Sequence, residues 1–368
     1  MARTLSIKLN KLGIHTDIMS FNMNKTWTPT WSEKVERDGS FNVFKMPALN
    51  PFSNFSINPL CHSLRINVLP KPNFKKKFKE YDVIHFLGEA DLTFPIFSYS
   101  TQKPKIMHCV TVKGLHMQYR IHRARILKKL FMKVFPKLAD LYIVSSPDEV
   151  KVLLDMGVPE YKILVLPLGV DTQIFRPDKT KKLDSLLLFV GRIDKNKGLH
   201  ILLKSLSYLS FKTQVAIIGP RMDTRYFEEI EKMCHKINEE GFHTVTYLGS
   251  MRQNDLVPWY QKATVLVRPD LLAVSGGNTA MEALACGTPV IGTGNYVVKH
   301  DSNGIIVPSN NPEKLAEALH KLLADKKLRE RYEKEGRIIM EQCFGWERLT
   351  LALINVYERM LNTSKMRA

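Results

Sequence analysis

Twice along this chain, short apolar runs of strand length alternate with helical patterns, and no other feature narrows the fold so far. In the first series, residues 81–86, 106–112, 139–146 and 163–166 read as strands; in the second, residues 186–190, 214–218, 244–248, 264–267, 289–291 and 305–307 do. Helical spacings fall between the later runs, at 198–209, 224–240, 255–262 and 279–285, and then at 312–323 and 326–341. Continuously apolar strands are what burial on both faces requires, and intervening helices make the connections of parallel sheets. The expectation is α/β architecture in two lobes, for which 368 residues suffice. A polar, lysine-rich stretch at 178–184 reads as the linker. It divides an N-terminal lobe (1–177) from a C-terminal lobe (178–345), with a last helix at 346–368.

Charge and cysteine usage set the remaining bounds. Lys and Arg number 54 against 36 Asp and Glu, a net +18 that favours an anionic partner. No zinc-finger, RNP or helix-turn-helix signature accompanies the charge, so nucleic acid is set aside. The run Lys75-Lys76-Lys77-Phe78-Lys79 and the basic stretch 120–133 point instead to a peripheral contact with an anionic membrane. The apolar runs are too short to span a bilayer, and the first 17 residues contain no unbroken apolar stretch. The expected location is therefore cytoplasmic, at the inner face of the membrane. Five scattered cysteines form no CxxC pair, which suits reduced thiols and neither a zinc site nor disulfides.

Two segments carry chemistry. In Val190-Gly191-Arg192-Ile193-Asp194-Lys195-Asn196-Lys197-Gly198, a strand ends, Gly191 turns the chain, and the cations Arg192 and Lys197 stand before a helix. Ligands of open α/β sheets bind at the carboxyl ends of the strands, and two long cations there suit a diphosphate. Lys195 reads as an ordinary loop lysine. In the second segment, Val274-Ser275-Gly276-Gly277-Asn278-Thr279 leads into a helix that carries Glu282. Free N–H groups at a helix start make an anion site, and Gly276 and Gly277 admit close approach. Glu282 lies one turn in, either to accept two ribose hydroxyls or to cap the helix.

Together with further stretches in the same order, these segments resemble family 4 of the retaining glycosyltransferases, which have the GT-B fold. The matching stretches are Leu166-Pro167-Leu168-Gly169-Val170-Asp171 with Phe175 and Pro177, Val190-Gly191-Arg192 with Lys197-Gly198, and Tyr247-Leu248-Gly249. Glu282-Ala283-Leu284-Ala285-Cys286-Gly287-Thr288-Pro289-Val290, Asn303-Gly304-Ile305-Ile306-Val307-Pro308 and Phe344-Gly345-Trp346 complete the set. The resemblance implies two Rossmann-like lobes with parallel sheets facing across a cleft, and a last helix that crosses back to the first lobe. It implies a nucleoside-diphosphate-sugar donor as co-substrate, no cofactor or metal, and a glycan, lipid-linked or glycolipid acceptor. By position, Arg192 and Lys197 would hold the diphosphate. Gly191, Gly277, Asn278 and Thr279 would meet phosphates and sugar, Glu282 the ribose, and the Met251 backbone the nucleobase.

The chain also departs from the family. Val274 stands where the first carboxylate of a Glu-x7-Glu pair is usual. Lys113 stands where the first lobe usually carries a His, as a third catalytic candidate, unless His108 shifts into that role. The family's Gly-Gly pair after the last major strand is replaced by Gly292-Thr293-Gly294-Asn295-Tyr296. Residues 2–12 already read as the helix that normally follows an opening strand and Gly-rich loop, so the first lobe is expected to lack both. A retaining, metal-independent hexosyltransferase is the leading reading. A weak or inactive nucleotide-sugar-binding module is the alternative. A sugar-nucleotide epimerase ranks third and would rest on Glu89 and Asp91 as carboxylates able to move a proton.

Overall fold

The computed structural model describes residues 1–21, 34–38, 41–46, 48–49, 69–70, 75–88, 94–109, 133–178, 182–271, 277–294 and 297–367. The chain divides into two units: Met1–Pro167 with Leu349–Ala368, and Leu168–Arg348.

The first unit contains β1 (Ile18–Phe21), β2 (Lys34–Asp38), β3 (Phe41–Met46), β4 (Ala48–Leu49) and β5 (Leu69–Pro70). They are followed by β6 (Ile84–Gly88), β7 (Lys105–Cys109), β8 (Leu141–Val144) and β9 (Ile163–Val165). The last four form a parallel sheet in the order β6-β7-β8-β9. β1 pairs parallel with β3, while β2 on β3 and β5 on β4 are antiparallel. The helices are α1 (Ala2–Lys11), α2 (Lys75–Phe78), α3 (Phe94–Ser98) and α4 (Pro147–Asp155). α4 starts as its sequence dictates. Pro147 occupies the first turn, and the Glu149 carboxylate accepts from the N–H groups of Ser145 and Ser146 at 2.9 and 3.1 Å. Its inner face packs Leu153 against Met107, Tyr142 and Val144 of the sheet.

On the neighbouring strands β6 and β7, His85 and His108 stack with ring centroids 5.5 Å apart. Nδ1 of His85 is hydrogen-bonded to the Tyr357 hydroxyl at 2.8 Å, but its Nε2 and both ring nitrogens of His108 have no partner among the described residues. Burial drives both imidazoles far below the usual histidine range, His108 to about 4 and His85 to about 3, where the neighbouring His108 adds to the effect.

The second unit has one sheet of six parallel strands: β10 (Leu186–Val190), β11 (Gln214–Ile218), β12 (Thr244–Tyr247), β13 (Val265–Arg268), β14 (Val290–Gly292) and β15 (Gly304–Ile306). Their order is β12-β11-β10-β13-β14-β15. Counted from the unit's own first strand, this is the doubly wound order 3-2-1-4-5-6, which reverses direction between β10 and β13. α5 (Leu199–Ser205), α6 (Thr224–Glu240), α7 (Val257–Lys262), α8 (Asn278–Ala285), α9 (Pro312–Ala324) and α10 (Lys326–Ile339) connect and cover it. One buried cluster joins Leu187, Phe189 and Val267 to Leu202, Phe227 and Leu319. Another joins Leu188, Ile218 and Leu266 to Tyr260, Met281 and Leu284. The two clusters take alternate residues of β10, as a strand buried on both faces must.

Residues 168–177 belong to the second unit, ten residues ahead of the boundary expected from sequence. Val170 donates its N–H to the Phe344 carbonyl (2.9 Å) and accepts from the Trp346 N–H (3.2 Å). The Arg337 guanidinium donates to the carbonyls of Thr172, Phe175 and Ala285 at 3.0, 2.7 and 2.7 Å. Gly169 lies so near the Trp346 indole that a Cβ there would fall 2.4 Å from the ring. The distant motifs 167–171 and 344–346 are thus two halves of one joint. From it the last helix, α11 (Trp346–Arg367), runs on into the residues assigned to the first unit.

Candidate active site

Arg192 and Lys197 follow β10, at the switch point of the second sheet. Gly191 donates its N–H to the Ile218 carbonyl (3.0 Å), which keeps the chain end against β11. Asp194 accepts from the Asn196 N–H and caps the short turn Lys195–Lys197. The chain then passes through Gly198 at φ +66°, where a Cβ would fall 2.0 Å from the Pro269 carbonyl oxygen. Only glycine satisfies both the left-handed backbone and that contact. The Leu271 N–H donates to the Asn196 carbonyl at 2.8 Å and closes the loop after β10 onto the loop after β13.

This closure brings Lys197 to Asp270. Its Nζ lies 2.8 Å from Oδ1, while Nη2 of Arg268 lies 3.0 Å from Oδ2. Arg192 is exposed and approaches Asp194 at 3.4 Å. Gly191, Lys197, Arg268, Asp270, Asn278 and Thr279 all line one cavity of about 120 Å³, with Phe189 and Val190 behind them. Of the sequence candidates, it unites Gly191, Lys197, Asn278 and Thr279; Arg192 stands on the same loop outside that lining. A larger hollow of about 670 Å³ lies between α6 and β11–β12, but apolar side chains such as Phe227, Ile230 and Tyr247 dominate its wall.

α8 begins at Asn278, with its first free N–H groups beside the cavity. Gly277 precedes it, and a Cβ there would fall 2.6 Å from Val297 Cγ2. Glu282, on the second turn, is 6% exposed. Gln253 donates to one of its oxygens (2.7 Å) and Tyr260 to the other (2.8 Å). Burial pushes this carboxyl above the usual range, and the two hydrogen bonds oppose that rise. Each oxygen retains acceptor capacity for a further donor. Met251 lies on the loop leading to Gln253, partly buried against the cluster that holds Tyr260, Met281 and Leu284. Lys113, Val274, Gly276, Glu89, Asp91 and the stretch 120–132 lie outside the described residues. Cys109, Cys234, Cys286 and Cys343 are free thiols.

Sequence reasoning missed Arg268 and Asp270. The signal was present in Val265-Leu266-Val267-Arg268-Pro269-Asp270, where an arginine ends a buried apolar strand. A buried charge needs a partner, and the acid two residues on supplies it.

The model of "Glycosyltransferase Family 4" matches residues 1–174, and that of "Glycosyl transferases group 1" matches residues 171–338. A D-inositol 3-phosphate glycosyltransferase of Xylanimonas cellulosilytica is 30% identical over 240 residues, which are 60% of this chain and 57% of that protein. The chain thus spans less than two thirds of that relative's length. The O-antigen chain mannosyltransferase C of Escherichia coli is 23% identical across 95% of this chain and 91% of its own. Among solved structures, sucrose-phosphate synthase from Thermosynechococcus elongatus superposes with a TM-score of 0.73 at 22% identity, over 98% of this chain and 93% of that one. Anabaena HepE, in complex with UDP-glucose, gives 0.66 at 14% identity, over 94% and 100%. With both lobes matched in order, on two parallel-sheet α/β units of this topology, the chain belongs to the family 4 glycosyltransferases of the GT-B fold.

Proposed function

We propose that the protein is a retaining, metal-independent glycosyltransferase that moves a hexose from a nucleoside-diphosphate sugar to a hydroxyl of a glycan, lipid-linked or glycolipid acceptor. The observation that carries this reading is the convergence of Lys197, the Gly191 turn and the start of α8 on one cavity at the sheet's switch point. The HepE complex with UDP-glucose, on the same fold, supports the class of donor.

In this reading the bond from the anomeric carbon to the diphosphate oxygen breaks, and its electron pair stays on the leaving oxygen. Arg192, Lys197 and the α8 amides stabilise that growing negative charge. The acceptor oxygen bonds to the same carbon from the same face, and its proton passes to the leaving phosphate. Lys113 is assigned to the acceptor side. Glu282 keeps acceptor capacity for the ribose hydroxyls, and the Met251 backbone meets the base. No cofactor takes part. The enzyme works in the cytoplasm, and its excess of 18 positive charges holds it at an anionic inner membrane face.

Calorimetric titration with UDP, GDP and ADP tests the reading. One of the three binds, and Lys197→Ala and Arg192→Ala each weaken it roughly 10- to 100-fold, the range for losing a charge-assisted contact. Transfer to acceptor hydroxyls then proceeds with the donor's anomeric configuration and persists in EDTA. Failure of all three nucleotides to bind favours an inactive module, and an inverted product excludes the retaining course.

A further inference from the structure

Two cations share one carboxylate at the floor of the cavity, and one of them is buried. Arg268 and Asp270 are each 7% exposed, and Nη1 of Arg268 has no hydrogen-bond partner among the described residues. A guanidinium held this way costs stability, because it is desolvated and one donor goes unused. A methionine or leucine at the end of β13 would fill similar space without that cost. The fold therefore retains a charge here that its packing does not need.

The reason lies in what Asp270 does to Lys197. Their 2.8 Å contact fixes the ammonium at the cavity wall, which a flexible lysine does not achieve alone. The same contact cancels the charge that a diphosphate would be drawn by, and sets a carboxylate beside an anion. Arg268, on the other oxygen of Asp270, reverses that cancellation: the trio holds two positive charges to one negative. Lys197 keeps two further ammonium N–H donors while the first stays on Asp270.

We propose that Arg268 and Asp270 are positioning residues of the donor site: Asp270 anchors Lys197 toward the diphosphate, and buried Arg268 offsets Asp270 so that the anchored lysine remains effectively cationic. This deepens the donor reading above and depends on it.

The experiment compares wild type, Arg268→Met, Asp270→Asn and the double variant by calorimetry, with the nucleoside diphosphate that the wild type binds and with its parent nucleoside. Arg268→Met weakens the diphosphate by about tenfold or more and leaves the nucleoside unchanged, since only the charged part senses an uncompensated carboxylate. Adding Asp270→Asn to Arg268→Met restores most of the loss, the reverse of what two structural defects would give. Equal diphosphate affinity in Arg268→Met and wild type, or a double variant no better than Arg268→Met, overturns the proposal. Should Arg268→Met not fold, Arg268→Lys and Arg268→Gln decide: diphosphate affinity must stay near wild type where the charge is kept and fall where it is lost, and equal affinity in the two variants overturns the proposal. A wild type that binds no nucleoside diphosphate defeats the donor reading itself, a result separable from these.

Discussion

Side chains whose charge state the fold dictates are the ones that respond most sharply to conditions. Unfolded histidine takes up a proton near pH 6.5, but buried His108 resists until about pH 4 and His85 until about 3. Between those values the unfolded chain binds more protons than the folded one, so stability is complete above about pH 6.5 and is lost as pH falls toward 4. His108→Phe removes two unpartnered nitrogens in similar volume. It is expected to leave the melting temperature near neutrality unchanged or higher, and to flatten its decline in acid. Calorimetric melting curves of both proteins across that pH range check this. At this scale the sequence was informative where chemistry follows a motif. Gly191, Lys197, Asn278 and Thr279 stood in stretches of recognisable order, and the structure gathers them. The Arg268–Asp270 pair was visible in its own stretch of sequence, but its contact with Lys197 joins segments 73 residues apart, and no spacing along the chain encodes that. Gln253 and Tyr260, the partners of Glu282, escaped because they lie 29 and 22 residues before it on other elements.

Loops after β10 and β13 meet because Gly198 leaves room for the Pro269 carbonyl. Gly198→Ala adds a left-handed-backbone cost to a steric one, about 2–4 kcal/mol together, and is expected to weaken nucleotide binding along with stability. Denaturant unfolding and titration on the same sample measure both. In the second unit β11 and α6 were legible from sequence at both ends, whereas the helix expected over 198–209 ends at Ser205. Strands buried on both faces announce themselves as unbroken apolar runs, and α6 has a capping Asp223 before it and Gly241 after it. In the first unit, Lys34-Val35-Glu36-Arg37-Asp38 carries four charges in five residues and gave no strand signal, yet it pairs antiparallel with β3. Its pairing comes from the neighbouring strand rather than from its own composition.

For the whole molecule, the net charge of +18 sets the expected behaviour at surfaces. Flotation with vesicles rich in anionic lipid is expected to carry the protein upward, with binding lost on neutral vesicles and reduced in high salt. Equal binding to both kinds of vesicle excludes the electrostatic attachment. No helix among the described residues is long and apolar enough to cross a membrane. The division of the chain bears on biosynthesis as well. The second unit is one uninterrupted stretch, Leu168–Arg348, whereas the first is completed only by Leu349–Ala368. On the ribosome, the second unit can close while the first still lacks its final helix. At ordinary elongation rates the stretch from Pro167 to Tyr357 takes roughly 10–40 s to make. Through that time the His85 imidazole waits without the Tyr357 hydroxyl, so the unit begun first is the one completed last.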